Sequence, residues 1–140
     1  MSNVMIDIET MGQAVGCRVI QIGAVRFSID CLGEVMNELI VNINQFDPDS
    51  MKFEKDPITE KWWHDQPQRT KDTWHVPPQI GLKDGLRELS EFVRSNDEVW
   101  AKPPTFDLVI LRECYKRMEM KCPWHYRMEN DSRTVYKRLP

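Results

Sequence analysis

No run of apolar residues in this sequence approaches the roughly 18 that a membrane-crossing helix needs. That excludes a helical membrane span. Met1-Ser2-Asn3 is not a basic stretch leading into an apolar run, so no signal peptide is expected and a cytosolic location is the default. The four cysteines, Cys17, Cys31, Cys114 and Cys122, form no CxxC pair, and no histidine stands at zinc-finger spacing from them. A cysteine metal site is therefore not indicated, and reduced, mostly structural thiols are expected. The chain contains only six glycines, has no internal repeat and has no low-complexity segment. The net charge of −3 counts against a stable, non-specific binder of nucleic acid, which is usually basic. What remains is an ordinary globular composition, 41% hydrophobic and 29% charged over 140 residues. A chain of that length buries roughly two thirds of its unfolded surface, enough for one domain.

The pattern along the chain is mixed. Val4 to Thr10 begins apolar and ends polar, as a buried strand does, and a glycine-punctuated loop follows from Met11 to Gly16. Val19 to Ile29 is rich in β-branched residues and reads as a second strand. Cys31-Leu32-Gly33-Glu34 reads as a hairpin turn. Val35 to Ile43 reads as a third strand with Leu39, Val41 and Ile43 on one face. Pro48 to Pro57 is a loop. Thr59 is the expected cap of a helix carrying Trp62 and Trp63, with Ile58 as the apolar residue before it. Leu82 to Ser95 has helical spacing of Leu82, Leu86, Leu89, Phe92 and Val93. Glu98 to Ala101 is a short strand, Lys102-Pro103-Pro104 a stiff link, and Phe106 to Met118 a helix ended by Pro123-Trp124. Arg127 to Leu139 is polar, and reads as a short strand entering a helix. The order predicts an α/β layer structure: an antiparallel three-strand meander plus further strands, flanked by helices.

The sharpest local feature is Asp7-Ile8-Glu9. Residues two apart on a strand share a face, so Asp7 and Glu9 project together while Ile6 and Ile8 point the other way. Two carboxylates side by side repel, and a cation relieves that repulsion. Magnesium or manganese suits such hard oxygen ligands. A solvated strand end is the alternative. Gly12 permits close approach of backbone to a ligand, and Thr10 offers a hydroxyl. Asp107 is a third acid at a helix start. It is readable as a ligand or as a first-turn acid favoured by the helix dipole.

Asp7-Ile8-Glu9-Thr10-Met11-Gly12 resembles the first motif of the DEDD (DnaQ-like) exonuclease superfamily, within the ribonuclease H-like fold. Val19 to Phe27 is similar to that family's second strand. Lys61-Trp62-Trp63-His64-Asp65-Gln66 resembles a segment of its phage and prophage branch, similar to the bacteriophage DexA exonuclease and the bacterial 3'-5' exoribonuclease domain. Phe106-Asp107-Leu108 resembles the second acidic motif, and Asn130-Asp131-Ser132-Arg133-Thr134 an Asp-x-Arg-Thr element. The resemblance spans residues 4 to about 137.

It implies a ribonuclease H-like mixed sheet in which parallel strands join the meander. It also implies a two-metal, Mg2+ or Mn2+ dependent 3'-5' exonuclease that releases nucleoside monophosphates from the 3' end of single-stranded DNA or RNA. Asp7, Glu9 and Asp107 are the implied catalytic and metal-binding acids. Thr10, Met11, Gly12, Trp63, Gln66, Phe106, Asp131 and Arg133 are the implied substrate contacts. For the tryptophans, helix packing is the competing role, and for Arg133 a surface ion pair.

The family's fourth acid and its general-base histidine lie in a later His-x-x-x-Asp motif, which residues 1–140 do not contain. His125 and Glu129 have a suitable interval but precede Asp131. The expectation is one exonuclease domain over 1–140, incomplete at the C-terminus and lacking its last helix, with impaired turnover. The alternatives are an inactive nucleic-acid-binding remnant or a homodimerising interaction module.

Overall fold

The computed structural model describes residues 2–30 and 34–140. Most of the expected turn at Cys31-Leu32-Gly33 lies outside the described residues. Among the described residues, six strands form one mixed sheet in the order β4-β3-β2-β1-β5-β6. Strand β1 (Asn3–Thr10) pairs antiparallel with β2 (Val19–Phe27), and β2 antiparallel with β3 (Val35–Ile43). Strands β4 (Gln79–Ile80), β5 (Glu98–Ala101) and β6 (Glu129–Asp131) join parallel to β3, β1 and β5 respectively. This is the expected meander with parallel additions. Among the described residues, no helix is long and apolar enough to cross a membrane.

Period-two alternation decides which face is core. Val4, Ile6 and Ile8 of β1 share one buried cluster with Ile22 and Ala24 of β2 and Val41 and Ile43 of β3. Helix α3 (Leu82–Phe92) adds Leu82, Leu86 and Leu89 to that cluster, and α4 (Asp107–Arg117) adds Leu108, Ile110, Leu111 and Tyr115. These are the positions that helical spacing assigns to the buried stripe. Helix α5 (Ser132–Tyr136) follows β6 directly. A buried ion pair closes the far end of the sheet, with Arg26 Nη1 2.8 Å from Asp97 Oδ1. Burial pushes the Asp97 carboxyl up, and hydrogen bonds from Arg26, the Arg94 backbone and Ser2 more than offset that, leaving it below its ordinary value.

Two local expectations are corrected. Thr59 does not cap the tryptophan helix, and Ile58 does not precede the cap. Helix α1 (Pro57–His64) starts earlier, capped by Asp56, whose Oδ1 accepts from Ile58 N at 3.2 Å. Proline at the first helical position and an aspartate before it are both favoured, and together they outcompete a threonine cap. Thr59 instead donates its hydroxyl to Asp56 Oδ2 at 3.0 Å. Strand β4 was not expected from the sequence. A four-residue helix α2 (Gln68–Lys71) also lies between α1 and β4.

Candidate active site

Strand β1 outruns its parallel neighbour. The last registered pair of β1 with β5 is Met5 with Trp100, and β5 ends at Ala101. Ile8 lies beyond that end, and its backbone N–H needs an acceptor. Asp107 Oδ2 takes it at 3.0 Å, across 99 residues of sequence. Asp107 is only 3% exposed and opens α4, where the helix dipole favours negative charge.

The hydrogen bond sets Asp107 beside Asp7. Burial, and after it the charge of Asp7, push the Asp107 carboxyl from 3.8 to about 6, against the opposing backbone hydrogen bond from Ile8. Glu9 is raised as well, first by burial and then by Asp7. Asp7 is thus the common neighbour of the other two acids. On β1, Asp7 is exposed and Glu9 half-buried, while Ile6 and Ile8 are in the core, as alternation dictates. Gly23 stands directly across from Asp7 on β2, so no side chain from that position covers the acid.

The donor set is chemically suited to a hard divalent cation: three carboxylates, two of them raised in part by like charge. Among the described residues, however, no three His, Cys, Asp or Glu side chains already surround one point. The acids form a row through Asp7, with one Asp107 oxygen engaged by Ile8.

A cavity of about 290 Å3 opens beside Glu9, lined also by Thr10, Gly12, Ile58, Trp62 and Phe106. Its floor is built by the strand end. The register shifts between Glu9 and Thr10, Thr10 Oγ1 donates to Gly12 O at 2.6 Å, and Trp63 Nε1 donates to Thr10 O at 2.8 Å. Gly12 is required by packing, because a Cβ there would lie 2.6 Å from Cys17 Cβ.

The structure brings Asp7, Glu9 and Asp107 into one patch, with Thr10, Gly12, Trp63 and Phe106 around the cavity. Met11 is buried and faces a neighbouring cavity. Gln66 does not line the acidic cavity, and its Nε2 donates to Trp62 O at 3.0 Å. Asp131 and Arg133 do not line it either. Asp131 caps α5 through Arg133 N at 2.9 Å and pairs with the Arg133 side chain, which holds the Asp131 carboxyl below its ordinary value.

Sequence reasoning missed Trp62, which is 54% exposed, and Ile58, which is 79% exposed, both on the cavity wall. Trp63 is the buried one of the pair, at 6%. The signal was the four-residue spacing of Ile58 and Trp62, which places them on one side of α1.

The sheet order and the parallel β1–β5 pair are those of a ribonuclease H-like fold. Solved structures of low sequence identity share this fold, among them the following two. The chain superposes on cell-death related nuclease 4 (CRN-4) with a TM-score of 0.54 at 11% identity, covering 85% of this chain and 40% of that one. It superposes on the nuclease domain of 3'hExo, a DEDDh family member whose structure was solved bound to rAMP, with a TM-score of 0.57 at 10% identity, covering 87% and 62%. The chain therefore spans about two fifths to three fifths of these relatives' lengths. No curated protein matches the sequence. The chain belongs to the 3'-5' exoribonuclease Rv2179c-like domain family, whose family model matches residues 2–140.

Proposed function

We propose that this chain is a metal-dependent 3'-5' exonuclease that removes nucleoside monophosphates from single-stranded nucleic acid at the Asp7–Glu9–Asp107 patch. The reading rests above all on the Ile8 N–H···Asp107 bond, which draws a distant carboxylate to the acid-bearing strand end. Family membership supports it.

Asp7, Glu9 and Asp107 would hold two magnesium or manganese ions, which when bound supply positive charge at the scissile phosphate and activate water. The remaining roles fall to the chain itself. Trp62 offers an exposed indole to the terminal base, braced edge-on by Trp63 with ring centroids 4.9 Å apart. Base–aromatic stacking contributes about 1–3 kcal/mol. Ile58 and Phe106 extend the apolar wall, and the Thr10–Gly12 turn brings backbone close to the nucleotide. Among the described residues no histidine lines this cavity: His64 and His75 line its neighbour, and His125 accepts from Arg127 N.

The test uses 3'-labelled single-stranded RNA and DNA with manganese, with magnesium and with chelator. Metal-dependent monophosphate release that is lost in Asp7→Asn supports the proposal. Release that persists in chelator, or in Asp7→Asn, refutes it. Retention of the strand without cleavage indicates a binding remnant instead.

A further inference from the structure

Strand β2 breaks its two-residue period at Ile20. Glu9 of β1 stands across from Gln21, but Thr10 stands across from Val19, so Ile20 is skipped in the register. Alternation from Ala24 and Ile22 would send Ile20 into the main core. Val19 takes that place instead, and Ile20 is fully buried in a separate cluster with Met11, Trp63 and Trp74. A bulge of this kind disrupts the ladder locally and redirects the side chains beside it. On β1 the side chain beside it is that of Glu9. The helical segment grips the bulge on both strands. Trp63 of α1 donates Nε1–H to Thr10 O at 2.8 Å, a buried bond across 53 residues of sequence. Gln21 Nε2 donates to Thr73 O at 2.7 Å, shortly after α2.

We infer that Trp63 is a positioning residue for Glu9. Its indole N–H fixes the carbonyl of Thr10, and with it the strand end from which Glu9 projects. Indole nitrogen is a donor only, and a buried carbonyl that loses its donor either stays unpaired or turns to find another. At a bulge the backbone has room to turn, so the bond selects one direction for the carboxylate. Trp63 therefore acts through Glu9 rather than by touching the nucleotide. Trp62, its neighbour on α1, forms the exposed wall of the cavity, so the stacking face and the acid share one anchor. The inference rests on the exonuclease reading for what Glu9 holds, a divalent cation. The hydrogen bond and the bulge stand apart from that reading.

The test compares two variants of the whole chain at a temperature where both are folded. Trp63→Phe keeps an aromatic ring and removes the donor. Trp74→Leu thins the same cluster, and the indole N–H it removes meets no acceptor among the described residues. Calorimetry gives the manganese affinity, monophosphate release from single-stranded RNA gives kcat and KM, and 15N–1H correlation in chelator reads the backbone without metal. In Trp63→Phe manganese is expected to bind about 10–100-fold more weakly, and kcat to fall by a similar factor with KM little changed. Its metal-free spectrum should move the amide signals of Glu9, Thr10 and Met11 and leave those of Val4 and Ile6. Trp74→Leu should melt earlier yet keep wild-type manganese affinity and kcat. Equal losses in the two variants, or wild-type manganese affinity in Trp63→Phe, overturn the inference and leave Trp63 a packing residue. If Trp63→Phe does not fold, the wild type titrated with magnesium decides: a shift of the Trp63 indole signal supports the link, and no shift overturns it. Absence of metal-dependent release by the wild type refutes the exonuclease reading alone, and the manganese affinities and metal-free spectra still decide the role of Trp63.

Discussion

Replacing Asp107 by asparagine isolates the electrostatic cost of the acid patch. Asparagine keeps an oxygen to accept from Ile8 N and removes the charge. In the folded chain the Asp107 carboxyl holds its proton up to about 6, against 3.8 ordinarily. Between those values the folded state binds more protons than the unfolded one, so stability falls as pH rises through that window and stays low above it. At about 1.36 kcal/mol per pH unit the full cost is about 3 kcal/mol. Exchanging a charged for a neutral acceptor takes back about 1 kcal/mol. Asp107→Asn is therefore expected to be about 2 kcal/mol more stable than the wild type at pH 8 in chelator, and no more stable than it at pH 3.5. Urea unfolding across pH 3.5–8 measures this directly. Millimolar manganese should raise wild-type stability at pH 8 and leave the variant unchanged. A variant weaker than wild type at pH 8, or a difference independent of pH, would show that Asp107 is not held against its neighbours' charge.

Gly12→Ala forces a Cβ to within 2.6 Å of Cys17 Cβ and should cost about 1–3 kcal/mol in a thermal melt. Trp62→Ala removes the exposed stacking face. KM for single-stranded substrate should rise roughly 5- to 150-fold, corresponding to about 1–3 kcal/mol, with the melting temperature little changed. Asp97→Ala strands the buried Arg26 guanidinium and should destabilise by about 3–5 kcal/mol without altering metal dependence, as read by denaturation with and without manganese.

Much of the fold was legible because short-range pattern and tertiary role agree. In β1, alternation alone puts Ile6 and Ile8 in the core and Asp7 and Glu9 on the other side, and α3 and α4 announce their buried stripes by spacing. Strand β4 was not legible: it is two residues long, and its pairing with Asn42 and Ile43 is decided by the sheet rather than by its own sequence. The start of α1 turned on a competition between Asp56 and Thr59. Which of the two adjacent tryptophans is buried was decided by tertiary packing, with Trp63 Nε1 donating to Thr10 O and its ring against Trp74. The acids were legible as residues. Their meeting was not, because it depends on where β5 stops relative to β1. Asp131 and Arg133 illustrate the converse: a motif-like pair whose partners in the folded chain are each other and a helix end.

That early stop of β5 carries a design lesson. Two more extended residues after Ala101 would hand Ile8 a ladder partner and knit the sheet further. They would also evict the Asp107 carboxylate from its perch. Variants selected only for thermal robustness should drift toward such an extension, and the drift would mend the sheet by erasing the gap that lets chemistry in.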